Sequence, residues 1–198
     1  MEKSYDRAYF DRWYRDPRRR VGTAAELARQ AALAVAAAEV VLARPIASVL
    51  DVGCGEAPWS VVLRRIRPRV KYLGIDPSPY AVARYGISRR IVSGSFGSLP
   101  SLDLPGPYDL VVCADVLHYV PDRELGGGIR ELARLVGGVA YLEVQTLDDS
   151  FTGDRRGWIP RTARQYRTLF SRVGLVPCGL HLWLGPEAAA AAAALERG

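Results

Sequence analysis

Residues 49–59 read V-L-D-V-G-C-G-E-A-P-W. The apolar run Ser48–Val52 predicts a short strand. Pro58–Ile66 predicts a helix with Pro58 in its first turn, where a missing N–H costs nothing. Between them Gly53 and Gly55 flank Cys54 in a tight turn. Glycine permits a positive φ and lets a ligand touch the backbone. The helix start beyond it offers free N–H groups to a polar or negative group. A turn of this kind can also do no more than join a strand to a helix, so its meaning depends on what surrounds it.

Outward from this turn, strands and helices alternate. Upstream, Thr23 opens T-A-A-E, a capping box in which Thr23 caps the helix and Glu26 reaches back. The helix runs to about Ala43, where Arg44-Pro45 stops it. Downstream, Lys71–Ile75 predicts a strand and Ser78–Tyr85 a helix closed by Gly86. Arg90–Val92 is a brief strand. Asp109–Cys113 is a strand whose near-continuous apolar run fits burial on both faces. A helix over Asp122–Val136 ends at Gly137-Gly138, and Val139–Val144 is the next strand. Residues 146–160 form a polar loop, Thr162–Val173 a helix, and Leu175–Leu184 one or two last strands. This alternation implies an α/β domain with a mostly parallel sheet of six to seven strands and helices on both faces. Residues 1–45 form an N-terminal arm and helix packed on the core. Residues 46–186 form the main domain, and 187–198 an alanine-rich tail.

The chain has 198 residues, 49% of them apolar and 24% charged, one domain's worth of ordinary globular composition. No stretch reaches the roughly 20 apolar residues of a membrane span, and the charged, aromatic N-terminus lacks the apolar middle of a signal peptide. Cys54, Cys113 and Cys178 are too far apart for a disulfide framework or zinc site, so a reduced cytoplasm is the simplest compartment. The net charge of +6 invites a nucleic-acid partner. Against it, the basic residues are scattered among 21 acids, and all but Lys3 and Lys71 are arginine, a bias that runs through the whole chain.

Ligands of such sheets sit beyond the carboxyl ends of the strands, where the strand order reverses. Asp76 lies there, in Y-L-G-I-D-P-S (72–78), where a carboxylate can accept both hydroxyls of a ribose. Two nucleoside cofactors compete. A dinucleotide fold prefers G-x-G-x-x-G. Here the third glycine is Pro58, and Glu56 would face the diphosphate. Asp51, just before the glycines, suits a ligand with an ammonium group. These features favour S-adenosylmethionine (SAM).

With these residues in hand, the sequence resembles the class I (Rossmann-like) SAM-dependent methyltransferases. V-L-D-V-G-C-G resembles that family's first motif and G-I-D-P-S its second acidic loop. G-S-F-G-S-L-P (94–100), Y-D-L-V-V-C-A-D-V-L-H-Y-V (108–120) and G-G-V-A-Y-L-E-V (137–144) resemble the third-, fourth- and fifth-strand segments, so the likeness covers about residues 46–184. It implies a three-layer α/β/α Rossmann-like sandwich with an N-terminal helical extension. Gly53, Gly55 and the Cys54 backbone would hold the methionine end of SAM, with Asp51 receiving its ammonium. Asp76 would bind the ribose and Pro77 lie on the adenine. The family's aspartate that meets the adenine amino group falls on Ser95, a departure; Ser95 can still hydrogen-bond there, and Phe96 can pack on the base. Ala57 replaces a glycine often found at its position, a mild change. Asp115 and Val116 would lie beside the sulfonium.

The implied activity is transfer of the SAM methyl group to a small-molecule acceptor by in-line displacement, leaving S-adenosylhomocysteine, with no metal. The readings kept beside it are an RNA or protein methyltransferase and a SAM-fold binding protein without methyl transfer. His118 is the candidate general base, while His181 reads as structural. Tyr14, Trp59, Tyr119 and Trp158 are candidate walls of the acceptor pocket. A-D-V-L at 114–117 replaces the N/D-P-P-Y/F motif that aligns amino groups of adenine or glutamine. Cys113 has no preceding proline and so does not read as a cytosine-type nucleophile. Two segments could cover the site: the arm with Tyr9, Trp13 and Tyr14, and D-R-R-G-W-I-P-R (154–161). From Asp154 to Arg172 six arginines face one aspartate; they could attract an anionic acceptor or form a solvated face.

Overall fold

The computed structural model describes residues 3–150 and 153–191. The arm holds a short helix, α1 (Arg7–Phe10), that runs into a π-helical turn over Asp11–Arg15. Next comes α2 (Ala24–Leu42), with the expected Thr23/Glu26 capping box and Ala43 closing it in the left-handed region at φ 52°. The chain then alternates β1 (Ser48–Val52), α3 (Pro58–Ile66), β2 (Lys71–Asp76), α4 (Pro79–Arg89), β3 (Ile91–Ser93), β4 (Tyr108–Ala114), α5 (Asp122–Leu135) and β5 (Val136–Glu143). It ends with α6 (Ala163–Ser171), β6 (Val176–Gly179), β7 (Leu182–Leu184) and α7 (Pro186–Ala191). The tail expected over 187–198 thus begins inside α7, and 192–198 lie outside the described residues. Among the described residues, no helix is long and apolar enough to cross a membrane.

The seven strands lie in the order β3-β2-β1-β4-β5-β7-β6. Pairs among β1 to β5 are parallel, and β7 runs antiparallel to both β5 and β6. Side-chain alternation sorts the interior into two layers. Leu50, Val52, Val111, Cys113, Ala140 and Leu142 pack with Ile129 and Leu132 of α5 and Phe170 of α6. Val49, Leu110, Val112, Val139 and Tyr141 pack with Ala34 and Ala38 of α2 and Trp59 and Leu63 of α3. This is the expected three-layer α/β/α sandwich.

One carboxylate organises the start of the central strands. Asp109 accepts from the Arg44 guanidinium at 2.6 and 3.0 Å and from the backbone N–H of Ala47 at 2.5 Å and Ser48 at 3.2 Å. It thereby joins the end of α2 and the start of β1 to the start of β4. Burial acts to raise the Asp109 carboxyl, but these donors outweigh it and hold it below the ordinary carboxylate range.

Glycines account for two departures from the sequence reading. The α4 helix is not closed by Gly86; it continues to Arg89 and ends on Arg90 in the left-handed region. Gly137 and Gly138 do not terminate a helix either. They lie within β5, where a Cβ on Gly138 would stand 2.5 Å from the Asp109 carbonyl oxygen, so they permit the close strand contact beside the register shift at Tyr108–Leu110. In α5, Gly126-Gly127-Gly128 stays helical although glycine disfavours helix. A Cβ on Gly128 would fall 2.3 Å from the Phe96 ring and 2.8 Å from its carbonyl oxygen, whereas one on Gly126 meets nothing within 4 Å. Gly126→Ala is therefore expected to stabilise the protein by about 0.5–1 kcal/mol. Gly128→Ala is expected to destabilise it by about 1–3 kcal/mol through overpacking against Phe96. Urea unfolding of the two variants checks the opposite signs.

Candidate active site

The loops that leave the carboxyl ends of β1, β2, β3 and β4 enclose one cleft. Its walls include Gly53, Gly55, Asp76, Pro77, Ser95, Phe96, Asp115, Val116 and Tyr119. It opens where β1 and β4, separated in the chain by β2 and β3, lie side by side.

The loop after β1 holds three residues in the left-handed region: Gly53 at φ 73°, Gly55 at 55° and Ala57 at 54°. At Gly53 a side chain is also excluded by space, because a Cβ would lie 2.3 Å from Val116 Cγ2. Ala57 adopts this conformation with a Cβ, so its replacement of glycine costs about 1–2 kcal/mol of local strain rather than nothing. The Cys54 side chain turns into the interior, and burial pushes its thiol up.

Two buried carboxyls stand behind this loop. Asp76 accepts from the Gly55 N–H at 2.6 Å and the Ser78 N–H at 2.8 Å, linking the loops after β1 and β2. Burial raises its carboxyl despite these donors. Asp51, 2% exposed, accepts from the Tyr72 hydroxyl at 2.6 Å. Burial pushes it up to about 7, with Tyr72 opposing and Asp76 adding to the rise. In the loop after β3, the Ser95 hydroxyl accepts from the Ser98 N–H at 3.2 Å and keeps its own proton free to donate.

After β4, Asp115 takes φ 61°, a strained value for a residue with a side chain, and faces the cleft. Its Oδ1 accepts from the Gln145 side-chain amide at 3.2 Å and lies 3.2 Å from His118 Nε2. His118 Nδ1 accepts from the Gln145 backbone N–H at 3.3 Å, which assigns the proton to Nε2. His118 is 0% exposed and lies behind Asp115 rather than on the cleft wall.

The candidate acceptor walls separate. Tyr14 and Tyr119 line the cleft. Trp59 does not: it is 5% exposed, its ring 5.1 Å from that of Tyr141, in the interior beneath α3. Trp158 lies half-buried in the 153–162 loop, outside the cleft lining. Arg161 of that segment is not available to an anion. It is 6% exposed and donates to Leu117 O at 3.2 Å, Val120 O at 2.7 Å and Asp122 Oδ1 at 2.5 Å, pinning the loop to the segment after β4.

The arm, expected to cover the site with Tyr9 and Tyr14, also brings Tyr5 and Phe10, which the sequence did not single out for it. Tyr5, Tyr9 and Phe10 join Tyr14 in the cleft wall, and Phe10 is 3% exposed. Arg15 binds Glu56 through both carboxylate oxygens, at 2.7 and 2.5 Å, and the Ser78 hydroxyl donates to Tyr5 O at 2.5 Å. The arm is thus tied to the loops after β1 and β2. The available signal was the spacing of Tyr5, Tyr9 and Trp13, four residues apart. Among the described residues, no group of three or more His, Cys, Asp or Glu is placed to hold a metal ion.

Comparison with known proteins follows the same lines. A family model described as a methyltransferase domain matches residues 12–189. Trans-aconitate 2-methyltransferase of Deinococcus radiodurans is 31% identical over 111 residues, 54% of this chain and 41% of that protein. Ubiquinone biosynthesis O-methyltransferase of Xanthomonas campestris pv. campestris is 35% identical over 85 residues, 41% of this chain and 36% of that protein. The chain thus spans well under half the length of these curated relatives. Among solved structures, the SAM-bound amino pentose methyltransferase of Micromonospora echinaspora aligns with a TM-score of 0.59 at 16% identity, covering 80% of this chain and 91% of that one. At that identity the likeness is one of fold. Matched by a methyltransferase-domain model along most of its length and carrying the same sheet, the chain belongs to the class I SAM-dependent methyltransferase family.

Proposed function

We propose that the protein transfers the methyl group of SAM to a small-molecule acceptor by in-line displacement, leaving S-adenosylhomocysteine. The observation that carries this reading is the convergence of the Gly53–Ala57 turn, the buried Asp76 carboxylate and the Ser95–Phe96 segment on one cleft at the strand-order reversal. SAM supplies an activated methyl on a sulfonium, so the protein's part is to align an acceptor and exclude water.

Each part of the cleft suits one part of SAM. Gly53, Gly55 and the Cys54 backbone hold the methionine end, and Asp51 lies behind them for the ammonium. Asp76 receives the ribose hydroxyls, trading the Gly55 and Ser78 N–H donors for them. Pro77 and Phe96 flank the adenine, and Ser95 donates to or accepts from its edge. Asp115 and Val116 border the reacting centre. His118, fully buried with its Nε2 3.2 Å from Asp115 Oδ1, is a positioning residue behind Asp115. Tyr14 and Tyr119, with Tyr5 and Tyr9 of the arm, form the acceptor wall; Trp59 and Trp158 have no part in it. Among the described residues the cleft lining carries Asp76, Asp115 and Glu124 and no basic side chain, which speaks against a polyanionic acceptor such as RNA. In this reading 1–45 form the arm and covering helix, and 46–186 the SAM-binding domain.

Three outcomes test these assignments. Asp76→Ala is expected to weaken SAM binding about 100-fold in a calorimetric titration, with the circular dichroism spectrum unchanged. His118→Gln is expected to lower kcat about tenfold while KM for SAM and the shape of the pH profile stay put. A loss near a thousandfold, with one limb of the profile gone, would instead make His118 the general base. The third outcome concerns pH. With Asp51 at about 7, the free protein holds it largely neutral at pH 6, and an ammonium ligand favours the carboxylate. SAM affinity is therefore expected to rise about fivefold from pH 6 to 7, with proton release, and to be flat in Asp51→Asn. The sign for the free protein is opposite. A raised carboxyl favours the folded state below the ordinary carboxylate pKa, and that contribution is lost as pH rises through about 7.

A further inference from the structure

Lys3 is one of two lysines in the chain. Its ammonium stands 3.5 Å from the centroid of the Tyr119 ring and 5.4 Å from those of Tyr5 and Tyr9. Asp154 Oδ2 lies 3.6 Å away, and the two side chains are 13% and 5% exposed. Three electron-rich rings and a carboxylate around one cation make an aromatic cage, an arrangement that recognises ammonium groups through their charge and desolvation. Lys3 fills it imperfectly. Its ion pair is longer than a hydrogen bond, and among the described residues Nζ has no hydrogen-bond acceptor. Burial lowers its pKa against the pull of Asp154.

The cage adjoins the site. Tyr5, Tyr9 and Tyr119 also line the cleft, and Tyr119 follows Asp115 and Val116 by a few residues. The charge of the surroundings has the matching sign. Among the described residues, the acids of the cleft lining, Asp76, Asp115 and Glu124, are joined by no lysine, arginine or histidine. Two arginines of the 154–161 segment are engaged: Arg156 with Asp154 at 3.1 Å, and Arg161 with Asp122 and backbone carbonyls. The anionic acceptor that the arginine count suggested finds no free cation in the cleft wall.

We propose that the methyl acceptor carries a basic amine, and that Tyr5, Tyr9, Tyr119 and Asp154 receive its ammonium at the position Lys3 Nζ holds in the free protein. The inference rests on the methyltransferase reading and names the acceptor class of that same site. Held as an ammonium, the nitrogen has no lone pair to offer. The cage is therefore an anchor, and the methylated atom is a different one on the same molecule. Lys3 is a placeholder that keeps the rings apart and leaves when the acceptor enters.

The test uses the full chain and two probes of similar size and opposite charge, tetramethylammonium and butyrate, titrated by NMR. Lys3→Met empties the cage of charge and is expected to bind tetramethylammonium about tenfold tighter than the unsubstituted protein. Adding Tyr119→Leu should remove that gain, whereas adding Tyr119→Phe, which keeps the ring, should preserve it. Butyrate should show no gain in any variant. The proposal is overturned if Lys3→Met binds tetramethylammonium no more tightly, if Tyr119→Leu leaves the gain intact, or if butyrate gains equally. SAM binding, measured by calorimetry on the same samples, reports folding and separates the two claims. SAM binding without cation selectivity sinks the amine acceptor alone, and absence of SAM binding sinks the methyltransferase reading whatever the cage does.

Discussion

A parallel sheet wound first one way and then the other leaves two neighbouring strands whose following loops diverge, and the crevice between those loops cannot be filled by the strands themselves. Here the neighbours are β1 and β4, and their alignment is the constraint on which the site depends. Val49, Leu50 and Asp51 pair with Leu110, Val111 and Val112. The Asp109 carboxylate fixes the far end of that alignment by gathering Arg44 and the N–H groups of Ala47 and Ser48. A slip of one residue would turn every side chain of a strand to the opposite layer. It would also separate Gly53 from Val116, whose contact closes the floor of the cleft.

Polar satisfaction in the cleft is arranged in advance of any ligand. Asp76 already has two backbone donors, and Asp115 accepts from the Gln145 side-chain amide. Such groups are preorganised, because the neighbours that hold them are themselves part of the sheet and its loops. Asp51 is the exception. Its one hydrogen bond among the described residues comes from the Tyr72 hydroxyl, and burial together with the nearby Asp76 raises it, so its charge state is open to change by what binds nearby.

The sheet and the cleft loops were legible because backbone geometry wrote them into the sequence. Gly53 sits where only a residue without a side chain fits under Val116, and Asp76 sits at a strand end that topology places over the crevice. Side-chain direction was less legible. Trp59 and Trp158 are large aromatics near the site in sequence, yet one faces the interior with Tyr141 and the other lies beyond the cleft. His118 follows the fourth strand as a catalytic base would, but its short helical turn, Leu117–Tyr119, directs it inward. The glycines of 137–138 read as a helix end because their purpose, a close approach to Tyr108 and Asp109, belongs to a partner strand. Contacts between Lys3, Tyr119 and Asp154 join residues more than a hundred positions apart, and no local pattern announces them.

The arm that walls the cleft has few other attachments to the body, and this sets the effective strength of the site. Its hold consists of the buried Phe10 ring, the Arg15–Glu56 pair, the Ser78–Tyr5 bond and the Lys3 contacts. Whenever those release, the aromatic wall disperses and the loops after β1 and β2 lose their cover while the sheet stays folded. The dissociation constant seen in solution is then the intrinsic one divided by the fraction of molecules with the arm docked. Solvent, salt or a neighbouring protein that touches nothing in the cleft can tune that fraction, so the chain carries a control over its own affinity in a segment of some fifteen residues.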